Sequence, residues 1–211
     1  MKALLHRLYV LVGTLACDVC LLWWTVRDRL SPPGADAVLF VAHPDDDTLF
    51  FHTFIREHKP YVCLMTTGWS LRRMPDFRRC MRQYGVRYRA YPLDSRDTRM
   101  HRLEKQVSAV IKLRDFRVIA THNAAGEYGH EEHIRVHEAV MAQCGTSGKK
   151  HKILCPVNKE RITDFPLDEK SVTEKLDIFA TIYTTESWVP FEEEAGTPVW
   201  VRHEKLEELR A

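Results

Sequence analysis

From residue 37 onward, short apolar runs alternate with longer stretches of helical spacing. Ala37–Ala42 (AVLFVA) reads as a fully buried strand, and Thr48–His58 has helical spacing, with Leu49, Phe50, Phe54 and Ile55. Tyr61–Thr67 (YVCLMTT) is a second strand, ended by Gly68. Arg72–Tyr84 is a basic helix that stops at Gly85, with Pro75 placing its true start near Met74. Arg87–Leu93 is a third strand, and His101–Lys112 carries Leu103, Val107, Val110 and Ile111 at helical spacing. Phe116–Thr121 (FRVIAT) is a further strand, followed by a helix over Glu131–Cys144, a strand over Lys152–Val157 and a helix over Val172–Tyr183. Residues 192–211 are acidic with interspersed Trp and Val, and a solvated edge is expected there.

Strands that alternate with helices of ten or more residues pair in parallel through crossovers. The expected fold class is therefore α/β: a Rossmann-like open, mostly parallel sheet flanked by helices, preceded by an N-terminal apolar helix. Residues 1–30 differ from the rest. Lys2, His6 and Arg7 precede Leu8–Trp24, whose single charge is Asp18, and Arg27-Asp28-Arg29 follows. A helix of that length spans about 26 Å, near the lower limit for crossing a bilayer. An uncleaved membrane anchor is the expectation, with Trp23 and Trp24 at the interface. A signal peptide cleaved after Thr14-Leu15-Ala16 and a buried soluble helix are the alternatives. Ser31-Pro32-Pro33-Gly34 breaks the chain, dividing it into an anchor or signal segment, 1–30, and a globular domain, 31–211.

Composition narrows the choice of partner. The 211 residues are 45% apolar, which argues against global disorder, and 31 basic against 29 acidic residues leave no broad field for gripping nucleic acid. No nucleic-acid partner is expected. Of the six cysteines only Cys17 and Cys20 have C-x-x-C spacing, without a second pair, so free thiols are preferred to a four-thiolate zinc site.

Two His/Asp-rich clusters follow predicted strands. His43-Pro44-Asp45-Asp46-Asp47 comes directly after VLFVA, and Glu127-Tyr128-Gly129-His130-Glu131-Glu132-His133 a few residues after FRVIAT. Taken singly, the aspartates could cap the next helix and the histidines could lie on a surface. Taken together, both would face the crevice at the carboxyl ends of parallel strands, where open sheets bind ligands. Imidazole nitrogen with carboxylate oxygen suits a divalent ion such as zinc.

Val41-Ala42-His43-Pro44-Asp45-Asp46 resembles the A-H-P-D-D-E signature of the zinc de-N-acetylases, the superfamily of N-acetylglucosaminyl-phosphatidylinositol de-N-acetylase and the mycothiol and bacillithiol deacetylases. His130 and His133 resemble that family's G-H-x-x-H motif, and Tyr128 stands where some members carry tyrosine. Arg73-Met74-Pro75-Asp76 is similar to its R-x-x-E helix, and Asp94-Ser95-Arg96-Asp97 to a D-N-R-D stretch of the phosphatidylinositol-linked enzymes. The resemblance covers residues 37–145. It implies one zinc ion held by His43, Asp46 and His133, with Asp45 as general base and His130 as general acid or electrostatic stabiliser. It further implies that Tyr128 donates to the oxyanion and that Arg73 and Asp97 hold sugar hydroxyls. Asp47 stands where the family carries Glu.

On this reading the chain removes acetyl from an N-acetylglucosamine conjugate. The lipid-linked substrate N-acetylglucosaminyl-phosphatidylinositol fits the N-terminal helix and the D-x-R-D stretch. It implies attachment to the endoplasmic reticulum membrane with the catalytic domain on the cytoplasmic face. A soluble conjugate or envelope polysaccharide, with secretion after signal cleavage, is the alternative; an inert carbohydrate-binding pseudoenzyme is a third. A metalloprotease would need H-E-x-x-H, and here the second histidine comes one place early. A haloacid-dehalogenase-type phosphatase would need D-x-D-x-T, and position 49 is Leu.

Overall fold

A computed structural model describes residues 2–66, 73–91, 100–184 and 199–209. Five strands run parallel: β1 (Ala37–Val41), β2 (Tyr61–Leu64), β3 (Tyr88–Ala90), β4 (Val118–Thr121) and β5 (Lys152–Pro156). A sixth, β6 (Leu206–Glu208), joins β5 antiparallel, giving a mixed sheet in the order β3-β2-β1-β4-β5-β6. The strands lack polar alternation because both faces of the sheet are covered. Leu39, Val41, Val62 and Leu64 enter one core with Phe51, Ile55, Phe77 and Phe179. Val38, Phe40, Tyr61 and Cys63 enter the other with Leu103, Val107, Val136 and Val140.

The first core is closed by α2 (Asp46–His58), α3 (Arg73–Tyr84), α8 (Glu169–Thr181) and α9 (Val199–Arg202), the second by α4 (Met100–Ile111) and α6 (Glu131–Thr146). Pro75 sits in the first turn of α3, where a backbone N–H has no helical partner to lose. Short α5 (Gly126–Gly129) and α7 (Lys159–Ile162) follow β4 and β5.

Two expectations need correction. The C-terminal stretch is not a solvated edge where it is described: Val199, Trp200 and Val201 are buried, and β6 extends the sheet. All three apolar residues of α9 enter the first core, so burial on more than one side of this short helix outweighs the acidic composition around it. The second correction concerns α1 (Lys2–Leu30). Among the described residues no helix is long and apolar enough to cross a membrane, so the expected anchor finds no support there.

The last turns of α1 are instead built into the domain. Trp24 donates its indole N–H to the Ala90 carbonyl at 2.9 Å. Asp28, fully buried, accepts from the Tyr61 hydroxyl at 2.6 Å and from Arg89 Nε at 2.5 Å. A carboxylate, a guanidinium and a phenol satisfy one another where none could be buried alone.

Candidate metal centre

The chain leaves β1 toward β2 on one side of the sheet and later returns to β4 on the other. The carboxyl ends of β1 and β4 therefore flank the switch point of the topology, the place where open parallel sheets bind ligands. The segment after β1 carries His43, Asp45, Asp46 and Asp47; the segment after β4 carries His122, Glu127, His130 and His133.

Both segments depart from ordinary backbone geometry. Asp45 has φ 105° and ψ −37°, and Glu127 has φ 59° and ψ −55°. Such conformations persist only where the surroundings over-determine them. For Asp45 the restraint comes from its own carbonyl, which accepts from Thr48 N and Leu49 N at 2.9 and 2.8 Å, and from its N–H, which donates to Asp47 Oδ1 at 3.2 Å. Asp47 in turn accepts from Tyr183 Oη at 2.7 Å, Thr48 Oγ1 at 3.0 Å and Cys80 Sγ at 3.2 Å. Burial pushes the Asp47 carboxyl up despite these donors. Next to Glu127, Gly126 has φ +65°, and a Cβ there would stand 3.0 Å from Ile134 Cγ1.

Glu127 organises the histidines. Its Oε2 accepts from His133 Nδ1 at 2.6 Å and His122 Nδ1 at 3.1 Å, and its Oε1 accepts from Asn123 N at 2.9 Å. Burial alone would raise the Glu127 carboxyl, but the two imidazoles hold it down to about 2. With the proton on Nδ1, each ring turns its Nε2 lone pair the other way. That of His122 is taken by the Ala42 N–H at 3.0 Å. That of His133 is buried, has no hydrogen-bond partner among the described residues, and lies 3.4 Å from Asp46 Oδ1.

His43 completes the group, its Nδ1 3.4 Å from Asp46 Oδ2 and its Nε2 against the Glu132 carboxylate. Burial alone would lower the His43 proton affinity, but hydrogen bonds with Asp46 and Glu132 raise it to about 9. Asp46 is the converse case. Its burial is outweighed by His133, His122 and His43, which hold the carboxyl well below the usual range.

Two overlapping sets of side chains stand close enough to share an ion: His43, His130 and His133, and Asp46, His122 and His133. His122 is the weakest candidate because its Nε2 already accepts a backbone N–H. The orphaned Nε2 of His133, beside an ionised carboxylate and a further imidazole, is the donor set a divalent ion such as zinc takes. Glu127 fixes the His133 ring through its other nitrogen, the arrangement that an imidazole needs if it is to hold a metal.

A family model described as "PIG-L: GlcNAc-PI de-N-acetylase" matches residues 38–144, and it spans both segments. The chain belongs to the PIG-L family. Uncharacterized protein L374 of Acanthamoeba polyphaga mimivirus is 23% identical over 120 residues, 47% of this chain and 53% of that protein. The chain thus spans about half the length of that relative. Two crystal structures share the fold. The conserved protein TT1542 from Thermus thermophilus has a TM-score of 0.58 at 15% identity, over 74% of this chain and 82% of that one. A deacetylase triple mutant from the teicoplanin biosynthetic pathway has a TM-score of 0.57 at 12% identity, over 71% and 82%.

In this PIG-L chain His43, Asp46 and His133, from either side of the switch point, come together, with Asp46 3.4 Å from each imidazole. Asp45 lies beside them, its Oδ2 3.3 Å from Arg73 Nη2, which also donates to the Pro44 carbonyl at 2.8 Å. Arg73 therefore braces the aspartate loop. His130 caps α6, its Nδ1 accepting from Glu132 N at 3.3 Å, and its ring stacks 4.4 Å from that of His133. Burial, then the charges of His133 and His43, lower its proton affinity to about 4. Tyr128 stands on the rim, 44% exposed, its ring 5.8 Å from those of His130 and His133 and 5.4 Å from that of Trp200. Asp97 lies outside the described residues.

His122 and Glu127 were not singled out as site residues from the sequence. His122 directly follows the strand FRVIAT much as His43 follows AVLFVA, and that placement was the available signal. Glu127 stood within the second cluster, but its role depends on a positive φ invisible in the sequence.

Proposed function

We propose that this chain is a metal-dependent hydrolase that removes acetyl from the N-acetylglucosamine of a glycoconjugate, with N-acetylglucosaminyl-phosphatidylinositol as substrate. The observation that carries the proposal is the buried, partnerless His133 Nε2, aimed at Asp46 by the Glu127 carboxylate behind it. His133, Asp46 and His43 would hold the ion, and zinc suits their donor atoms. When bound, such an ion polarises the amide carbonyl and makes a water more acidic.

The chain's own residues supply the remaining chemistry. Asp45, held against Arg73, takes the proton from the attacking water. The Tyr128 hydroxyl donates to the oxygen that gains charge as the carbonyl becomes tetrahedral. His130, whose Nδ1 is occupied by the Glu132 N–H, offers its Nε2–H as a hydrogen-bond donor that stabilises the charge of the tetrahedral centre, and the proton that Asp45 took from the water passes to the departing nitrogen. Acetate and a free amine leave.

A soluble N-acetylglucosamine conjugate is the second reading. It is favoured by the last turns of α1 being locked into the domain through Trp24 and Asp28. On the lipid-linked reading the chain works at a membrane surface, as at the endoplasmic reticulum, with the exposed Leu15, Val19, Leu22 and Trp23 of α1 as the contact.

Acetate release from N-acetylglucosaminyl-phosphatidylinositol and from soluble N-acetylglucosamine glycosides, each with and without chelator, tests the proposal. Release that stops on chelation supports it, and the preferred substrate separates the two readings. Asp45→Asn is expected to keep the metal and lose about 10²–10⁴ in turnover. A metal-loaded protein that releases no acetate from either substrate class would be a carbohydrate-binding pseudoenzyme.

A further inference from the structure

Helix α2 brings Asp46 to the metal centre, yet it is not continuous. Phe51 has φ −134° and ψ 17°, so residues 46–50 form a short segment set at an angle to the remainder. In a straight helix Thr53 N–H and the Leu49 carbonyl would pair with each other. Here each is engaged by one half of a buried ion pair from elsewhere. Thr53 N donates to Glu204 Oε1 at 2.8 Å, and Lys175 Nζ donates to the Leu49 carbonyl at 2.9 Å. The pair is closed by Lys175 Nζ and Glu204 Oε2 at 2.8 Å, with side chains 0% and 4% exposed.

The same ammonium donates to the Trp200 carbonyl at 2.8 Å. Trp200 packs 5.3 Å from the Phe50 ring and 5.4 Å from Tyr128, and Phe50 packs 5.7 Å from His133. One buried cation thus ties together the segment behind Asp46, the aromatic neighbour of His133 and the residue that backs Tyr128. Desolvating a lysine is costly, and burial lowers its proton affinity. An apolar residue would fill that space at lower cost, but it could not meet the two carbonyls.

We infer that Lys175 and Glu204 are positioning residues that splint the break in α2 and so set the direction of Asp46 and the Trp200–Tyr128 wall. On the metal-dependent reading given above, they act on the reaction through Asp46 and Tyr128 without touching substrate. A helix break with unmet polar groups would otherwise straighten, and Asp46 would swing relative to His133, which is fixed from α6 and Glu127.

The test uses the full chain and Co²⁺ as the probe. Lys175→Met removes the splint, and Glu204→Asp shortens it while keeping both charges. Lys175→Met is expected to weaken Co²⁺ binding by about tenfold and to change the visible absorption of the bound ion. Glu204→Asp is expected to move both in the same direction by less. In the metal-free proteins, the low-field NMR resonance of the His133 Nδ1 proton should shift as Phe50 moves. Folded variants with wild-type Co²⁺ affinity, wild-type spectrum and an unshifted proton overturn the inference. Should Lys175→Met fail to fold, Glu204→Asp decides. Should the wild-type chain bind no Co²⁺, the metal-dependent reading fails, while the His133 resonance in Glu204→Asp still decides whether the pair positions the site.

Discussion

Replacing Glu127 by Gln probes the device that orients the histidines. The carboxylate presents two acceptor oxygens, one to His122 and His133 together and the other to Asn123 N. An amide has one oxygen and one NH₂ group. If the oxygen faces the imidazoles, the NH₂ confronts the Asn123 N–H; if it faces Asn123, the NH₂ confronts two ring N–H groups. Either way a buried donor is left unmet, at about 1–3 kcal/mol. The charge that keeps the His133 proton on Nδ1 is also lost, so its Nε2 is no longer held ready to donate. Metal affinity is expected to fall by about 10–100-fold, equivalent to about 1.4–2.7 kcal/mol. Competition with a chromophoric chelator measures the first effect and urea unfolding of the metal-free protein the second. A Glu127→Gln protein with unchanged affinity and unchanged unfolding midpoint would refute this account of Glu127.

Two predictions concern stability. Burial, then the charges of Lys175 and Arg56, push the proton affinity of His52 down to about 3, while its Nδ1 meets Tyr84 Oη at 2.8 Å and its Nε2 lies 3.3 Å from Glu174. The unfolded ring titrates near 6.5, so this stability is complete above that pH and is lost as pH falls toward about 3, at up to ~1.4 kcal/mol per unit. His52→Gln should flatten the acid limb of a pH series of urea midpoints; an unchanged slope would contradict this. Burial alone would raise the Asp28 carboxyl, but the Tyr61 hydroxyl, Arg27 and Arg89 hold it below its usual value. Asp28→Asn strands the buried Arg89 and should cost about 3–5 kcal/mol of unfolding free energy; a loss below ~1 kcal/mol would show that the end of α1 is not part of the fold.

The strands β1, β2, β4 and β5 fall within runs legible as apolar, because a sheet covered on both faces needs continuous Val, Ile, Leu and Phe, whereas edge strand β3 carries the buried Arg89. The His/Asp cluster was legible for a related reason: in a parallel sheet the segments that follow strand ends lie at one edge, so His43 and His133 could be placed together without coordinates. What lies behind them was not legible. Glu127 reaches two imidazoles only because its backbone takes a positive φ, and Arg73 reaches Asp45 only because α3 packs against α2 through Cys80 and Tyr84.

The ends of the chain show the same division. Hydropathy marked residues 8–24 as apolar, and apolar helices suit a bilayer and a protein surface alike. Asp28, with Tyr61 and Arg89 brought from strands more than thirty residues away, decides that the last turns of α1 dock on the sheet. Residues 192–211 read as solvated because charge dominates their composition, yet Lys175 of α8 donates to the Trp200 carbonyl and holds α9 in the core. Local pattern thus specified β1 to β5, the longer helices and the side chains that could bind a metal, but not β6, α5, α7 or α9. Long-range pairing of buried charges and hydrogen bonds, which has no sequence periodicity, decided how those side chains are aimed.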